Sequence, residues 1–281
     1  MGSFITIVAV MTGVGLFFGI VLAFANKKFA VEMNPLIHVV EDVLPKGQCG
    51  ACGFAGCAAY AEAVVMNKDV APNLCIPGKK AVADQVAKLT GKIPLDVEPV
   101  VAFVKCAEPI SVASKKYIYS GINDCLAASL LQSGPKECEY GCIGLGTCVK
   151  QCVFGAIAMN AAGLPVVDKE KCTGCGKCAA ACPKKVIDMI PIDAHVSVIC
   201  NSHDKGAVVK KFCKVACIGC GLCKKQCPHG AIKLENSLAV VDSSVCIEKC
   251  TDPVCLEKCP TKAIQQYLTY KIPDLEMVKV V

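Results

Sequence analysis

Residues 217–228 read CIGCGLCKKQCP, which places four thiols in one short run that ends in proline. Three of these thiols are separated by two residues each and can surround one small inorganic cage. The fourth, Cys227, comes three residues later and is followed by Pro228. The pattern C-x2-C-x2-C-x3-C-P is typical of bacterial ferredoxin-type sites, in which the fourth cysteine binds the neighbouring cluster. The run therefore predicts a module that holds two iron–sulfur clusters.

Cysteine is abundant along the whole chain, with 24 cysteines among 281 residues. Such a share indicates either a disulfide scaffold or metal binding. Disulfide-rich chains are usually small secreted domains, whereas repeated short cysteine gaps in an intracellular chain indicate metal sites. Zinc sites usually pair two short knuckles, but these runs carry three thiols and a distant fourth, so we expect iron–sulfur clusters. A zinc-stabilised scaffold without a redox role is the alternative.

The formal net charge of +6 counts every cysteine as a neutral thiol. An oxidised four-iron cluster with four thiolates carries about −2, so five or six clusters would change the net charge to roughly −4 to −6. The basic composition therefore does not predict a nucleic-acid partner. We expect the lysines to offset cluster charge or to attract an acidic protein partner.

An uncharged, mostly apolar stretch of 22 residues runs from Phe4 to Ala25 and is long enough to cross a bilayer as a helix. Residues 23–25 resemble a signal-peptide cleavage site, but no basic residue precedes the stretch and it exceeds a typical signal-peptide core. We therefore predict a single-pass anchor in the cell (inner) membrane. Lys27 and Lys28 follow the stretch, and the positive-inside rule places the soluble part on the cytoplasmic side.

A different cysteine pattern follows the anchor, with gaps of two, four and seventeen residues. It predicts one separate four-iron site held by Cys49, Cys52, Cys57 and Cys75. Glycines within the pattern allow the backbone to pass close to a cage and to donate N–H groups to its sulfides. Two helices are predicted nearby: Asn34 and Pro35 favour a helix start before residues 36–44, and an alanine-rich run favours a helix over residues 58–65.

An internal repeat organises the rest of the chain. Residues 152–172 and 227–246 each contain a cysteine, Gly-Ala-Ile, a turn, Val-Val-Asp and the next cysteine. This pattern predicts two short strands joined by a turn between two cysteine groups, which is the centre of a two-cluster ferredoxin. We therefore predict two ferredoxin modules in tandem.

The crossover of the fourth cysteine predicts two ligand sets in each module. The sets of the first module would be Cys138, Cys142, Cys148 and Cys182, and Cys152, Cys172, Cys175 and Cys178. The sets of the second module would be Cys217, Cys220, Cys223 and Cys259, and Cys227, Cys246, Cys250 and Cys255. Some gaps in the outer cysteine groups are longer than usual, and Val153 replaces the proline after Cys152.

Four cysteines remain outside these sets, namely Cys106, Cys125, Cys200 and Cys213. Four is the number that one more cluster requires, so we expect them to hold a sixth [4Fe–4S] cluster. No run of known spacing supports this grouping, and the alternative is four free thiols. The predicted content is therefore five or six [4Fe–4S] clusters.

No pattern for an organic cofactor or a catalytic residue accompanies the cysteines. Gly144 and Gly146 lack the third glycine of a dinucleotide-binding fingerprint, and no phosphate loop or nucleophile elbow occurs. The four histidines are not grouped. We therefore predict that this chain transfers electrons and has no organic-cofactor active site of its own.

The predicted fold class is α+β, with one transmembrane helix, a small cysteine-rich four-iron domain and two tandem two-cluster ferredoxin-like modules. The predicted ranges are an anchor at 1–27, the N-terminal domain at 28–96, a connecting segment at 97–135, the first module at 136–192, a connecting segment at 193–213, the second module at 214–266 and a tail at 267–281.

The order of these features resembles that of the RnfB family, the iron–sulfur component of the Rnf complex, in its anaerobe-type form with two ferredoxin modules. The resemblance covers nearly the whole chain. It rests on LPKGQCGACGFAGC at 44–57, VKCAEP at 104–109, YIYSGINDC at 117–125, YGCIGLGTCVKQC at 140–152 and CNSHDKG at 200–206.

The resemblance implies one component of a membrane-bound ferredoxin:NAD oxidoreductase that translocates sodium ions or protons. Its partners would be soluble ferredoxin, from which it receives electrons, and the other membrane and flavin subunits of the complex. Candidate docking charges for ferredoxin are Lys184, Lys185, Lys224 and Lys225. The alternative is an anchored polyferredoxin that serves another membrane enzyme, such as a hydrogenase or a reductase of a redox sensor.

Overall fold

The computed structural model of the protein describes residues 2–29, 34–94, 96, 98–110 and 113–266, and these ranges include all 24 cysteines. The predicted tail at 267–281 lies outside them. Helices of the described chain are α1 (Gly2–Phe29), α2 (Pro35–Val43), α3 (Cys57–Met66), α4 (Lys79–Thr90), α5 (Cys125–Ser129), α6 (Thr147–Lys150), α7 (Lys177–Ala180), α8 (Gly206–Val209), α9 (Leu222–Gln226), α10 (Ser243–Lys249) and α11 (Cys255–Lys258). Its strands are β1 (Val100–Val104), β2 (Ile157–Met159), β3 (Pro165–Val167), β4 (Ile187–Pro191), β5 (Val196–Val198), β6 (Ile232–Glu235), β7 (Leu238–Val241) and β8 (Ile264–Gln266).

Helix α1 contains the predicted apolar stretch. Its segment Phe4–Lys28 is long and apolar enough to cross a membrane, and the remainder of the described chain buries none of it. The hydroxyl groups of Thr6 and Thr12 donate hydrogen bonds to the carbonyl oxygens of Gly2 and Val8 within the helix, at 2.8 and 2.7 Å. Polar groups satisfied within their own helix suit a hydrocarbon environment, in which water is absent.

The N-terminal domain is a small helical unit, and both of its predicted helices are present. The side chain of Asn34 accepts a hydrogen bond from the backbone N–H of Leu36 at 3.0 Å, which caps α2 as its sequence predicts. The apolar face of α2 packs against α3 and α4. The buried core of this unit contains Ile37, Val40, Leu44, Tyr60, Ala61, Val64, Cys75 and Val86.

The two predicted hairpins are also present. Strands β2 and β3 pair antiparallel, with Ile157 opposite Val167, and β6 and β7 pair antiparallel, with Ile232 opposite Val241. Each hairpin lies between two cysteine groups and buries its isoleucine in the core of its module. The repeat in the sequence therefore corresponds to a repeat in the structure.

Each module contains a second strand pair that the sequence pattern did not indicate. Strand β1 pairs antiparallel with β4, and β5 pairs antiparallel with β8. Strands β1 and β5 lie in the predicted connecting segments, yet they contribute Val101, Phe103, Val196 and Val198 to the buried cores. We therefore propose that each module extends backward to include this strand. The division of the chain otherwise stays a prediction.

Specific contacts join neighbouring parts of the chain. The amide Nδ2 of Asn201 donates hydrogen bonds to the carbonyl oxygens of Lys184 and Tyr140 at 3.0 and 3.4 Å. A Cβ atom at Gly47 would lie 2.8 Å from the ring of Phe154, so a larger residue at this position would require the ring to shift. These contacts place cysteine groups of different domains beside one another.

Gly174 provides a test of how tightly the first module packs around its cysteines. Its φ is +75°, and a Cβ atom there would overlap the carbonyl oxygen of Val100 in β1. Gly176 has nearly the same φ, +74°, with nothing within 4 Å of a Cβ atom. Both alanine variants incur the left-handed strain of about 1 kcal/mol, but only Gly174→Ala adds a steric clash of about 1–3 kcal/mol. We expect Gly174→Ala to lower the free energy of unfolding more than Gly176→Ala in thermal melts of anaerobically purified protein. Equal losses would contradict the close packing of β1 on this loop.

Candidate iron–sulfur sites

The N-terminal domain brings its four cysteines together. Cys49 and Cys52 lie in the loop after α2, Cys57 begins α3, and Cys75 precedes the short 3-10 turn Ile76–Gly78. The side chain of Gln48 accepts a hydrogen bond from the N–H of Cys57 at 2.9 Å, which ties the loop to the helix. Burial raises the pKa of the Cys75 thiol to about 11, and the nearby Cys57, Cys49 and Cys52 thiols contribute to the rise.

In each module, the structure also brings together the four cysteines of one predicted set. This set contains the cysteine that directly precedes the hairpin, Cys152 in the first module and Cys227 in the second. Burial raises the pKa of the Cys178 thiol to about 11, and its thiol neighbours are Cys172, Cys175 and Cys152. Burial likewise raises the pKa of the Cys255 thiol to about 12, and its nearest thiols include Cys246, Cys227 and Cys250. The hairpins β2–β3 and β6–β7 position these groups because each hairpin connects the crossover cysteine to the next cysteine group.

A further predicted set of the second module lines one cavity of about 330 Å³. The cysteines of this lining are Cys217, Cys220, Cys223 and Cys259. Pro260 also lines the cavity, as the Cys-Pro ending of the pattern leads one to expect. Among all 24 cysteines, Cys220 alone is exposed, so this group reaches the surface at one of its members.

The corresponding cavity of the first module has a different lining from the predicted one. It measures about 370 Å³, and its cysteines are Cys125, Cys142, Cys148 and Cys182. The predicted set contains Cys138 in place of Cys125, and Cys138 is absent from this lining. Burial raises the pKa of the Cys148 thiol to about 12, and Cys125 is the first of its thiol neighbours.

Hydrogen bonds around Asp124 explain how Cys125 reaches this cavity. The carboxylate of Asp124 caps α5 by accepting from the N–H of Ala127 at 2.9 Å, and it also accepts from the hydroxyl of Thr147 at 3.0 Å. The same hydroxyl oxygen accepts from the N–H of Cys125 at 2.7 Å. Helix α5 is thereby attached to α6, which carries Cys148. Asp124 is a residue type that favours N-cap positions, which is a local signal of this arrangement in the sequence.

The four cysteines without a motif therefore do not form one group. Cys106, Cys200 and Cys213 line a separate cavity together with Cys138, whereas Cys125 lies in the first module. Relative to the predicted sets, Cys138 therefore lies with Cys106, Cys200 and Cys213, and Cys125 lies with the cysteines of the first-module set. Which cysteines bind which cluster stays a proposal at these two sites.

The surroundings of the thiols fit iron–sulfur clusters. The donor groups are thiols, which are soft ligands suited to iron–sulfur or zinc centres. Backbone N–H groups of Ala102 and Ala156 donate to the sulfur atoms of Cys172 and Cys152, at 3.5 and 3.3 Å, and such bonds tune cluster potentials. In the described part of the chain, no three His, Cys, Asp or Glu side chains are placed to hold a single metal ion.

Two protein-family models match regions of the chain that contain these cysteines. The family described as "Putative Fe-S cluster" matches residues 44–77, which contain the four N-terminal cysteines. The family described as "4Fe-4S binding domain" matches residues 165–188 and 215–233, which contain a cysteine run of each module.

Curated relatives extend the similarity to nearly the whole chain, and each is the component designated B of its complex. The chain is 59% identical over 265 residues to that component of the proton-translocating ferredoxin:NAD(+) oxidoreductase complex of Clostridium ljungdahlii, covering 94% of this chain and 93% of that protein. It is 44% identical to component B of the ion-translocating oxidoreductase complex of Methanosarcina acetivorans, and the similarity covers 92% of this chain and 96% of that protein. It is 41% identical to component B of the Na(+)-translocating ferredoxin:NAD(+) oxidoreductase complex of Acetobacterium woodii, and the similarity covers 91% of this chain and 76% of that protein.

The fold and the cysteine groups define a multi-cluster iron–sulfur protein of the ferredoxin type, which is a class that transfers electrons. Within this class the chain belongs to the RnfB family of Rnf complex components, as the extent of identity shows. Together with α1, this membership indicates association with a membrane.

Replacement of Cys75 tests the N-terminal site. We expect Cys75→Ala to lower the iron content by about four atoms per chain, because one of four thiolates is lost from a single cluster. The clusters of the two modules should remain, since none of their cysteines belongs to this group. Iron and acid-labile sulfide of the anaerobically purified protein provide the measurement. An unchanged iron content would contradict the assignment of Cys75 as a ligand.

The raised thiol pKa values predict the pH dependence of cluster assembly. Iron binds the thiolate, so each thiol with a raised pKa, such as Cys75 at about 11, must lose a proton when a cluster forms. We therefore expect the metal-free protein to take up iron and sulfide more completely at about pH 9 than at about pH 7, with release of protons. Anaerobic absorbance titrations measure this uptake. Uptake that is independent of pH would contradict the prediction.

Proposed function

We propose that this chain is the electron relay of an ion-translocating ferredoxin:NAD(+) oxidoreductase complex. It accepts electrons from reduced ferredoxin and passes them to the other membrane and flavin subunits. A [4Fe–4S] cluster, when bound, takes up and releases one electron. Each transfer then oxidises one ferredoxin cluster and reduces this chain, which is reoxidised by the next component of the complex. The observation that carries the proposal is the unbroken series of cysteine groups along the soluble part.

Neighbouring thiols connect one cysteine group to the next. Cys178 lies among the thiols that raise the pKa of Cys148, which connects the two groups of the first module. Cys223 contributes in the same way to the raised pKa of Cys255, which connects the two groups of the second module. At the N-terminal end, Lys177 beside Cys178 donates a hydrogen bond to the carbonyl oxygen of Gln48 at 3.4 Å, next to Cys49. Cysteine groups whose thiols influence one another's pKa in this way are suitably placed for stepwise electron transfer.

Electron uptake from ferredoxin is best supported at the group that contains Cys220. Lys224 and Lys225 lie on α9, directly after this group, and both are exposed. Lys258 is exposed on α11, which packs against α9. Lys184, by contrast, lines the cavity of the first module, and burial lowers its pKa, so it is better placed to offset cluster charge.

The proposed orientation follows from α1. Lys27 and Lys28 lie in its last turn, and the positive-inside rule places this end on the cytoplasmic side of the cell membrane. Residues 4–25 carry no charged side chain, so α1 by itself provides an anchor and no ion path. Translocation of the ion and the reaction with NAD are therefore assigned to the other subunits.

Removal of two lysines tests the docking site. Lys224→Gln/Lys225→Gln should slow electron transfer from reduced ferredoxin about threefold to tenfold at low salt, and the difference should disappear at high salt, because exposed charges steer association. Lys79→Gln/Lys80→Gln is the matched control, since these lysines are also adjacent and exposed but belong to the N-terminal domain. Anaerobic stopped-flow absorbance measures the rate. Equal rates for the two double variants would refute this docking site.

A further inference from the structure

We infer that the soluble part of the chain has a membrane contact of its own, an apolar lobe at residues 117–135 that enters the surface of the bilayer in which α1 is anchored. The lobe consists of α5 and the chain on either side of it. Its occupant is the boundary between lipid headgroups and acyl chains, and not another protein. Such a contact goes beyond the proposed function, which does not require it.

The lobe exposes several large apolar side chains within a short stretch. Ile118 is 91% exposed and Leu130 is 79% exposed. The full set is Ile118, Ile122, Leu126, Leu130 and Leu131. Contiguous exposed apolar surface on a folded domain indicates a contact with protein or membrane. The lobe resembles α1 in this respect, because both present large apolar side chains to their surroundings.

Hydrogen bonds and helix geometry hold these side chains in one surface. The hydroxyl of Tyr117 donates to the carbonyl oxygen of Leu131 at 2.5 Å, which joins the two ends of the lobe. Leu126 lies on α5 and Leu130 is its C-cap residue, so these two side chains are four residues apart on one helix face. Ile122 precedes the N-cap residue of α5 by two positions. The exposed side chains therefore belong to one continuous part of the surface.

The polar groups of the lobe favour lipid over a protein partner. The hydroxyl of Tyr119 donates to the carbonyl oxygen of Ile122 at 3.0 Å, and that of Ser129 donates to Leu126 at 2.7 Å. Hydroxyl groups that donate within their own segment need no external acceptor, as in α1. Protein interfaces instead form about one hydrogen bond per 100–200 Å². Asp124 is the single charged residue at 117–135, and its carboxylate is used in capping α5.

The edge of the lobe carries the residues that suit lipid headgroups. Lys115 and Lys150 are exposed, and the ammonium group of Lys150 donates to the carbonyl oxygen of Asn123 at 3.0 Å. Lysines of interfacial segments lie at the headgroup level while the neighbouring apolar side chains enter the acyl region. Tyrosines such as Tyr117 and Tyr119 are also enriched at this level of a membrane. The arrangement is that of a segment that lies in the membrane surface.

The membrane helix makes the contact possible at little cost. Helix α1 ends at Phe29 and α2 begins at Pro35, so the soluble part is attached close to the bilayer. A compact unit of about 230 residues has a radius of gyration of about 17 Å. Every face of the soluble part therefore stays near the same bilayer, and the tether makes the second contact intramolecular.

The contact would orient the first module. The backbone N–H of Cys125 donates to the hydroxyl of Thr147 at 2.7 Å, which ties the lobe to the cavity that contains Cys125 and Cys148. Insertion of the lobe turns this cysteine group toward the bilayer. Delivery of electrons to membrane subunits from this group is the one consequence that rests on the proposed function.

A single tryptophan tests the contact, because the chain contains none of its own. Full-length Ile118→Trp, with its clusters, is reconstituted anaerobically into phosphatidylcholine vesicles with plain or dibrominated acyl chains. Bromine quenches tryptophan at short range, so brominated lipid should lower the fluorescence about twofold, at low and at high salt alike. The control is Ile93→Trp, because Ile93 is 87% exposed but belongs to the N-terminal domain. No quenching at position 118, or equal quenching at both positions, would overturn the inference.

A second variant shows whether the native apolar side chains cause the contact. Leu126→Gln/Leu130→Gln in the Ile118→Trp background should remove most of the quenching, because two inserted side chains become polar. Both leucines are exposed, so the absorbance of the clusters should remain as a check of folding. Quenching that persists in the triple variant would show that the new tryptophan itself inserts, and would overturn the inference.

Other occupants give different results. A shift of the Ile118→Trp emission to shorter wavelength only after assembly with the other subunits, without bromine quenching, would assign the lobe to a protein interface and overturn the inference. A shift that depends on protein concentration would assign it to a second copy of the chain, with the same consequence. Quenching without electron exchange with ferredoxin would refute the proposed function alone, and electron exchange without quenching would refute the membrane contact alone.

Discussion

The structure depends on the burial of many thiols close to one another. Aromatic residues make up 5% of the chain and tryptophan is absent, so large side chains contribute little to the cores. The cores of both modules instead contain buried cysteines, among them Cys142, Cys148, Cys217 and Cys223. Burial and neighbouring thiols disfavour the thiolate form, which iron binding requires. We therefore expect cluster assembly and folding to be coupled, because bound iron would compensate the charge that the cores otherwise exclude.

The same requirement explains the shape of the modules. Short hairpins hold cysteine groups at a constant separation, and glycines with positive φ, such as Gly174 and Gly219, turn the chain tightly around each group. The outer strand pairs add the apolar side chains that short hairpins cannot provide. Because β1 and β5 come from the segments before each module, they also position Cys106 and Cys200 at the boundary between modules. Packing and the placement of candidate ligands are thus achieved by the same elements.

The order of the domains suits a protein that connects a membrane complex with a soluble electron donor. Helix α1 and the N-terminal cysteine group form one end of the chain, and Gly47 and Gln48 contact the first module directly. The second module carries Cys220, the exposed cysteine, and lysines beside it. The proposed path from donor to membrane therefore follows the chain from its second module to its first and then to the N-terminal domain.

The sequence by itself determined the cluster type, the apolar helix, the two hairpin modules and most of the cysteine groups, because ligand spacing and hydrophobic periodicity are local properties. It also indicated the family, since the motifs are distinctive. Only the tertiary structure decided the pairing of β1 with β4 and of β5 with β8, the exchange between Cys125 and Cys138, and the meeting of Cys106 with Cys200. These arrangements join residues that are far apart in the chain, and their positions depend on packing and on hydrogen bonds such as those of Asp124 with Thr147. Spacing along a sequence contains no information about such contacts, because a short apolar run or a single cysteine fits several partners until the modules have folded against each other.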